Sequence, residues 1–323
     1  MSLWTRALER VGTLGGADRR PLGDLVGDDM ASDEALGHLI GRVKAEDLHD
    51  LLGPDRLRIR PVLVALSARA AGAANVDPEL QHAAELLHLA LTMHDLTLGQ
   101  PGGRRRRVAR RVLKRMGGSH FTLRALELVR HVSPPDIMGE AVDTLRAFSD
   151  GQNLAQELSE SGVLAATREA IHHADVHHGA LLTFCCRAGA HVATADAATV
   201  ASLGRYGRHL GRLWTLAEDH AALDSDSAAL WLRDRATNGR PVLAVSSAAE
   251  RDERIVGLWN ELVSNGRGAS ELSRVVRGAG GLSATREAMA QSSWAAQQAL
   301  RTLPESAYRD GLDALASGLA RAS

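Results

Sequence analysis

Between Glu79 and Leu98 the residues Leu80, Ala83, Ala84, Leu87, Leu91 and Leu98 recur at the spacing of one face of an α-helix. Pro78 stands just ahead of them, where a first-turn proline is tolerated because its missing N–H would have no intrahelical partner. The same period runs through Asp33 to Leu52, Arg60 to Ala71, Phe121 to Val132, Ile137 to Leu158, Val163 to Ala193, Ala197 to Leu223, Val242 to Ser264, Ser270 to Arg277, Ser283 to Thr302 and Glu305 to Ala320. Alanine, leucine and arginine, all strong helix formers, dominate the chain, and alternating β-branched or aromatic runs are nearly absent. An all-α fold is predicted. The breaks at Gly53-Pro54, Pro101-Gly102-Gly103, Gly117-Gly118, Pro134-Pro135, Asn238-Gly239, Gly280-Gly281 and Pro304 are too short to be interdomain linkers. The expected organisation is one helical domain over residues 31–323, preceded by a flexible segment or leading helix over 1–30. Long helices joined by short turns make a bundle, and a bundle binds small molecules in a central cavity between its helices.

Charge and composition narrow the partners. With 38 basic and 39 acidic side chains the formal charge is -1, which removes any global attraction to nucleic acid or anionic lipid. The arginine run Arg104 to Arg107, with Arg110 and Arg111, lacks interleaved aromatics, so nucleic-acid binding is not expected and a solvated face is the plainer reading. No uncharged apolar run is long enough to cross a bilayer, and the N-terminal residues lack the order of a secretory signal. The two cysteines, Cys185 and Cys186, are neighbours and make no disulfide framework; they read as small core residues in a reducing compartment. A cytoplasmic protein is expected.

Some polar groups interrupt the apolar faces. Glu85, His88, Thr92 and Asp95 fall three or four residues apart on one helix face, which predicts a wet cavity or a polar network. Glu218 and Asp219 sit on another apolar helix and need partners if buried. Asp224 and Asp226 follow, as a cap, as solvated loop residues, or, for Asp224, one turn from a metal site. His172, His173, His177 and His178 bring two imidazoles one turn apart, but no further metal-ligand pattern completes a zinc site.

The segment His94-Asp95-Leu96-Thr97-Leu98-Gly99 resembles the first aspartate-rich motif, H-D-D-x-x-D, of the trans-isoprenyl diphosphate synthases (the polyprenyl synthetase family). Arg58-Ile59-Arg60-Pro61 is similar to that family's R-L-R-P. Gly118-Ser119-His120-Phe121 through Leu128 resembles its G-D-Y-L-L-A-R-A-L-E-L stretch, and Gly151-Gln152 its G-Q pair. His177-His178-Gly179-Ala180-Leu181 falls on K-T-x-A-L, with His177 where the family has a lysine that contacts diphosphate. Arg205-Tyr206-Gly207-Arg208-His209-Leu210-Gly211 is close to R-Y-G-x-x-L-G and leads to Trp214-Thr215-Leu216-Ala217-Glu218-Asp219-His220-Ala221-Ala222 in place of F-Q-I-x-D-D-x-x-D. Gly239-Arg240-Pro241 resembles the later G-K-P. The likeness extends from about residue 50 to 320.

The resemblance implies an isoprenoid-synthase bundle in which magnesium ions, bridged between two facing acidic helices, help an allylic diphosphate to ionise before isopentenyl diphosphate attacks it. Aspartates at i and i+4 share a helix face, and Mg²⁺ prefers hard oxygen ligands. Here the first motif keeps Asp95 but has Leu96 and Gly99, and the second keeps Glu218 and Asp219 but has Ala222. Two readings of what remains stay open: a residual Mg²⁺ site of Asp95, Glu218 and Asp219, or, for Asp95, a carboxylate paired with an arginine. Arg58, Arg60, Arg105, Arg106, Gln152, His177 and Arg240 are the expected diphosphate-binding residues, guanidinium forks matching phosphate geometry. The expected role is that of a catalytically impaired family member, a partner subunit, regulator or prenyl diphosphate binder, as a homodimer or in a heteromer with an active synthase subunit. The alternative is an active prenyltransferase with a non-standard metal site.

Overall fold

A computed structural model describes residues 59–98, 108, 110, 112, 119–131 and 135–321. Among the described residues every regular element is helical. In chain order they are α1 (Ile59–Ala70), α2 (Pro78–Leu98), α3 (His120–His131), α4 (Asp136–Ser161), α5 (Thr167–Ala174), a π-helical turn (Asp175–Gly179), α6 (Ala180–Val192), α7 (Ala197–Leu223), α8 (Ala228–Thr237), α9 (Leu243–Ala249), α10 (Arg254–Asn265), α11 (Ala269–Gly278), α12 (Gly281–Leu300) and α13 (Ala307–Arg321). The predicted helix over 33–52, and the boundary near residue 30, lie outside the described residues.

The helical period located most elements to within a residue or two, Ala197–Leu223 among them. In three places the structure differs. Val163 to Ala193 is not one α-helix: a π-helical turn at Asp175–Gly179 inserts an extra residue between α5 and α6. Val242 to Ser264 divides into α9 and α10, because the backbone turns between Glu250 and Glu253. The stretch after Leu223, where the period marked no helix, contains α8, whose Ala228, Leu232 and Ala236 recur every four residues and are all buried.

Two apolar clusters hold the bundle together. The larger joins α1, α2, α3, α4, α6, α7, α12 and α13, and includes Cys185 and Cys186, both buried free thiols. The smaller joins the end of α7 to α8, α9, α10 and α11 around Leu232 and Trp259. Within the first, the phenol of Tyr206 is fully buried and donates to the Leu312 carbonyl at 2.6 Å, tying α7 to α13. α7 runs through the middle, packed against α6, the π turn and α12. Its approach to the π turn depends on Gly211, because a Cβ there would lie 2.5 Å from the Gly179 Cα. No helix of the described residues is long and apolar enough to cross a membrane.

Candidate functional site

The last turns of α2, the middle of α4, the π turn and the loop after α8 meet at Asp95. Its Oδ1 accepts a hydrogen bond from Arg240 Nη2 and another from Gln152 Nε2 at 3.2 Å, and the His177 Nε2 lies 3.8 Å away. Asp95 and Arg240 are each 16% exposed. Local structure places the arginine: Gly239 adopts a left-handed backbone at φ 62° and presses on the Ala155 carbonyl of α4, where a Cβ would come within 1.8 Å. One helix, α4, thus supplies both Gln152 and the shelf that positions Arg240. Burial by itself raises the Asp95 pKa, but the nearby His177 imidazole, the Arg240 charge and the Gln152 amide outweigh it and hold this carboxyl well below the usual carboxylate range.

On the facing helix α7, Asp219 is 5% exposed and accepts from Arg235 Nη2 at 2.9 Å. The Arg235 guanidinium also lies 5.2 Å from the centroid of the Trp231 ring. Here burial prevails over the arginine, and the carboxyl is pushed up to about 6. The neighbouring Glu218 is 42% exposed, with Oε2 3.7 Å from His178 Nε2. Burial, and then the positive charge of the surrounding groups, keep His178 neutral, so this contact is dipolar and not an ion pair at neutral pH. His178 stacks on Trp214 at 5.6 Å between centroids, meets His177 edge-on at 4.5 Å, and His177 in turn stacks on His173 at 5.4 Å. α5 and the π turn thus line up three imidazoles, His173, His177 and His178, beside the acidic residues.

The residues predicted from sequence divide into two groups. Asp95, Gln152, His177 and Arg240 are brought together, with Glu218 and Asp219 on the opposite wall. Arg60 has a partner of its own: its Nε donates to Glu85 Oε1 at 2.8 Å, and the glutamate is fully buried. Glu85 is thus the inner end of the polar stripe on α2, a network as expected. Arg58, Arg105 and Arg106 lie outside the described residues. Asp224 is exposed at the C-cap of α7, a cap and not a member of the site. Arg235 and Trp231 were missed in the sequence because α8 was; the four-residue recurrence of Ala228, Leu232 and Ala236 was the available signal.

A bridging magnesium needs several oxygen ligands from both helices. At the site α2 offers one carboxylate, Asp95, and the Oδ1 atoms of Asp95 and Asp219 each already accept from a guanidinium. Among the described residues no group of three His, Cys, Asp or Glu side chains is placed to hold a metal ion. The donor set does not fit a magnesium cluster. Chemically, the arrangement is a set of guanidinium, imidazole and amide donors around two neutralised carboxylates, suited to holding an anion and not to gathering divalent cations.

No protein-family model matches the chain. Its sequence is 26% identical over 284 residues to an all-trans-nonaprenyl-diphosphate synthase (geranyl-diphosphate specific) from Rhodobacter capsulatus, covering 79% of this chain and 82% of the relative. Among solved structures it superimposes on a polyprenyl synthase from Caulobacter crescentus complexed with calcium and isoprenyl diphosphate, with a TM-score of 0.74, 24% identity and 98% of each chain covered. A decaprenyl diphosphate synthase from Rhodobacter capsulatus gives a TM-score of 0.76 at 20% identity, covering 93% of this chain and 97% of the other. A polyprenyl synthetase from Streptomyces coelicolor gives 0.75 at 22%, covering 98% and 99%. These structural likenesses establish a shared fold.

Proposed function

We propose, taking the trans-prenyl diphosphate synthase (polyprenyl synthetase) family as the one its relatives identify, that this chain works in isoprenoid biosynthesis as a prenyl diphosphate binder without metal-dependent ionisation, serving as the partner subunit of an active synthase. The observation that carries this reading is the pairing of both inward aspartates with arginines, Asp95 with Arg240 and Asp219 with Arg235. In the resembled mechanism those carboxylates ligate metal. Ionising a diphosphate without metals leaves the developing pyrophosphate charge to fixed donors alone, a loss of several kcal/mol of transition-state stabilisation.

Binding is a lesser demand. Arg240, Gln152 and His177 form one cluster of donors, and Arg58, Arg105, Arg106 and Arg60 are proposed to extend it toward a diphosphate. The chain is read as a cytoplasmic protein, either a homodimer or one half of a heteromer. The test is an elongation assay of the purified chain with Mg²⁺, isopentenyl diphosphate and short allylic diphosphates. No product is expected; turnover at an ordinary enzymatic rate, roughly 1 per second, would overturn the reading. Affinity purification from the native cell should bring down an active synthase subunit.

A second reading is favoured by the relatives' names, which are those of synthases, and by the exposure of Glu218. In it Asp95, Glu218 and Asp219 form an altered magnesium site in an active prenyltransferase. Replacing Glu218 and Asp219 with alanine would then abolish a measurable turnover, whereas under the first reading there is no turnover to lose.

A further inference from the structure

Beside the acidic site, on the flank of α7 that meets α5 and α12, lies a groove of about 560 Å³, within the size range of small-molecule sites. Its apolar surface comes from Ile171, Ala288, Ala295 and the indole of Trp294, which is 63% exposed. Its polar wall comes from His209 and Arg212 of α7, and Gln291 stands at the exposed rim. An exposed tryptophan at the mouth of a cavity whose far wall carries a guanidinium is an amphipathic arrangement.

Arg212 is only half committed. Its Nε donates to Asp175 Oδ1 at 2.8 Å and its Nη2 to Asp175 Oδ2 at 2.5 Å, one complete fork. A guanidinium carries five N–H donors, so the edge formed by Nη1 and the second Nη2 hydrogen remains for another planar acceptor. The local charge favours an anion: Arg212, Arg208 and Arg205 of α7 all act on His209, with Asp175 as the opposing acid. Burial, and then those arginines, keep the His209 ring neutral to about pH 4, so it adds a hydrogen-bonding edge without a charge. Its Nδ1 is buried with no hydrogen-bond partner among the described residues.

We propose that this groove binds a small amphipathic carboxylate, its head on the open edge of Arg212 beside His209 and its apolar part laid along Ile171, Ala288 and Trp294. Such a ligand sits on the residue that anchors Asp175, the first residue of the π turn, two positions before His177. It would therefore press on the segment that carries the imidazole column, from outside the acidic site. The proposal rests on the groove alone and stands whether or not the chain binds prenyl diphosphates.

The full-length protein is titrated calorimetrically with decanoate, with decanol as the neutral control and decyl phosphate as the alternative head group. Saturable one-to-one binding of decanoate near 100 μM is expected, roughly the strength of one bidentate contact with an apolar tail, and decanol should bind about tenfold more weakly. Gln291→Glu places a negative charge at the rim and should weaken decanoate about fivefold; Trp294→Ala should weaken it about tenfold. Both residues are exposed, so folding is not at risk. Absence of saturable binding, equal affinity for decanol, or unchanged affinity in both variants would overturn the proposal. Decyl phosphate binding more than about tenfold tighter than decanoate would overturn the choice of a carboxylate head.

Discussion

Arg240 reaches across 145 residues of sequence to donate to Asp95 in the last turns of α2. Both side chains are largely removed from water, so neither is free to be lost alone. Breaking a buried pair by removing one partner strands the other charge, at a typical cost of about 3 kcal/mol. Arg240→Ala should therefore lower stability by about that amount in urea unfolding, and Arg240→Ala with Asp95→Asn should cost clearly less than the two single changes added together.

The pH dependence of this pair has a definite sign. The Asp95 carboxyl is depressed in the folded state, so its contribution is complete above the unfolded value near 3.9 and is lost as pH falls through the folded value. The stability gap between the wild type and Asp95→Asn should stay constant from pH 7 to about 4 and shrink only below that. A gap that closed between pH 7 and 5 would contradict the pairing.

Asp219 should behave in the opposite way. Its carboxyl is raised to about 6 by burial, so the folded chain holds a proton that the unfolded chain releases above about pH 4. Stability from this group falls as pH rises from about 4 to 6, and the penalty is complete above that window. Asp219→Asn removes the titration. Thermal scans should show the wild type gaining on the variant as pH is lowered from 7 to 5.

His220 follows Asp219 on α7 and is 6% exposed, with neither ring nitrogen hydrogen-bonded among the described residues. Burial and the nearby charge of Arg286 keep it neutral. A buried donor and acceptor without partners is a standing cost, so His220→Leu, of similar size, should raise stability by about 1 kcal/mol and increase Tm. A lower Tm would show that the imidazole makes a contact worth keeping.

Gly239 is the hinge on which Arg240 is aimed. Alanine at this left-handed position would drive its Cβ into the Ala155 carbonyl, so Gly239→Ala should cost about 2 kcal/mol or more. Because the strain falls on the loop carrying Arg240, the same variant should also return the Asp95 pKa toward the ordinary carboxylate range, observable by carboxyl-detected NMR.

How much of this was legible in the sequence depended on the range of the interaction. Helical period alone located α2 and α7, since each buries one stripe against the same core. It also placed Asp95 with Glu85 on one face of α2. It missed the π turn at Asp175–Gly179, because one extra residue in a helix leaves the local composition unchanged, and the phase shift is visible only against α7. The partners of the carboxylates were further from view. A pairing of Asp95 with some arginine was one of two readings open from the sequence, but Arg240 was expected to bind diphosphate and nothing near it in sequence marked it as that arginine. Arg235 was hidden in a helix whose apolar stripe is mostly alanine and so weakly marked.

If guanidinium groups occupy the place of metal between α2 and α7, diphosphate affinity must be indifferent to magnesium. The decisive measurement is calorimetric binding of geranyl diphosphate to the full-length chain, once with magnesium and once with EDTA. Dissociation constants agreeing within about twofold are predicted. Affinity at least about tenfold tighter with magnesium would mean that Asp95 and Asp219 leave their arginines for the ion, and would contradict the assignment of the site.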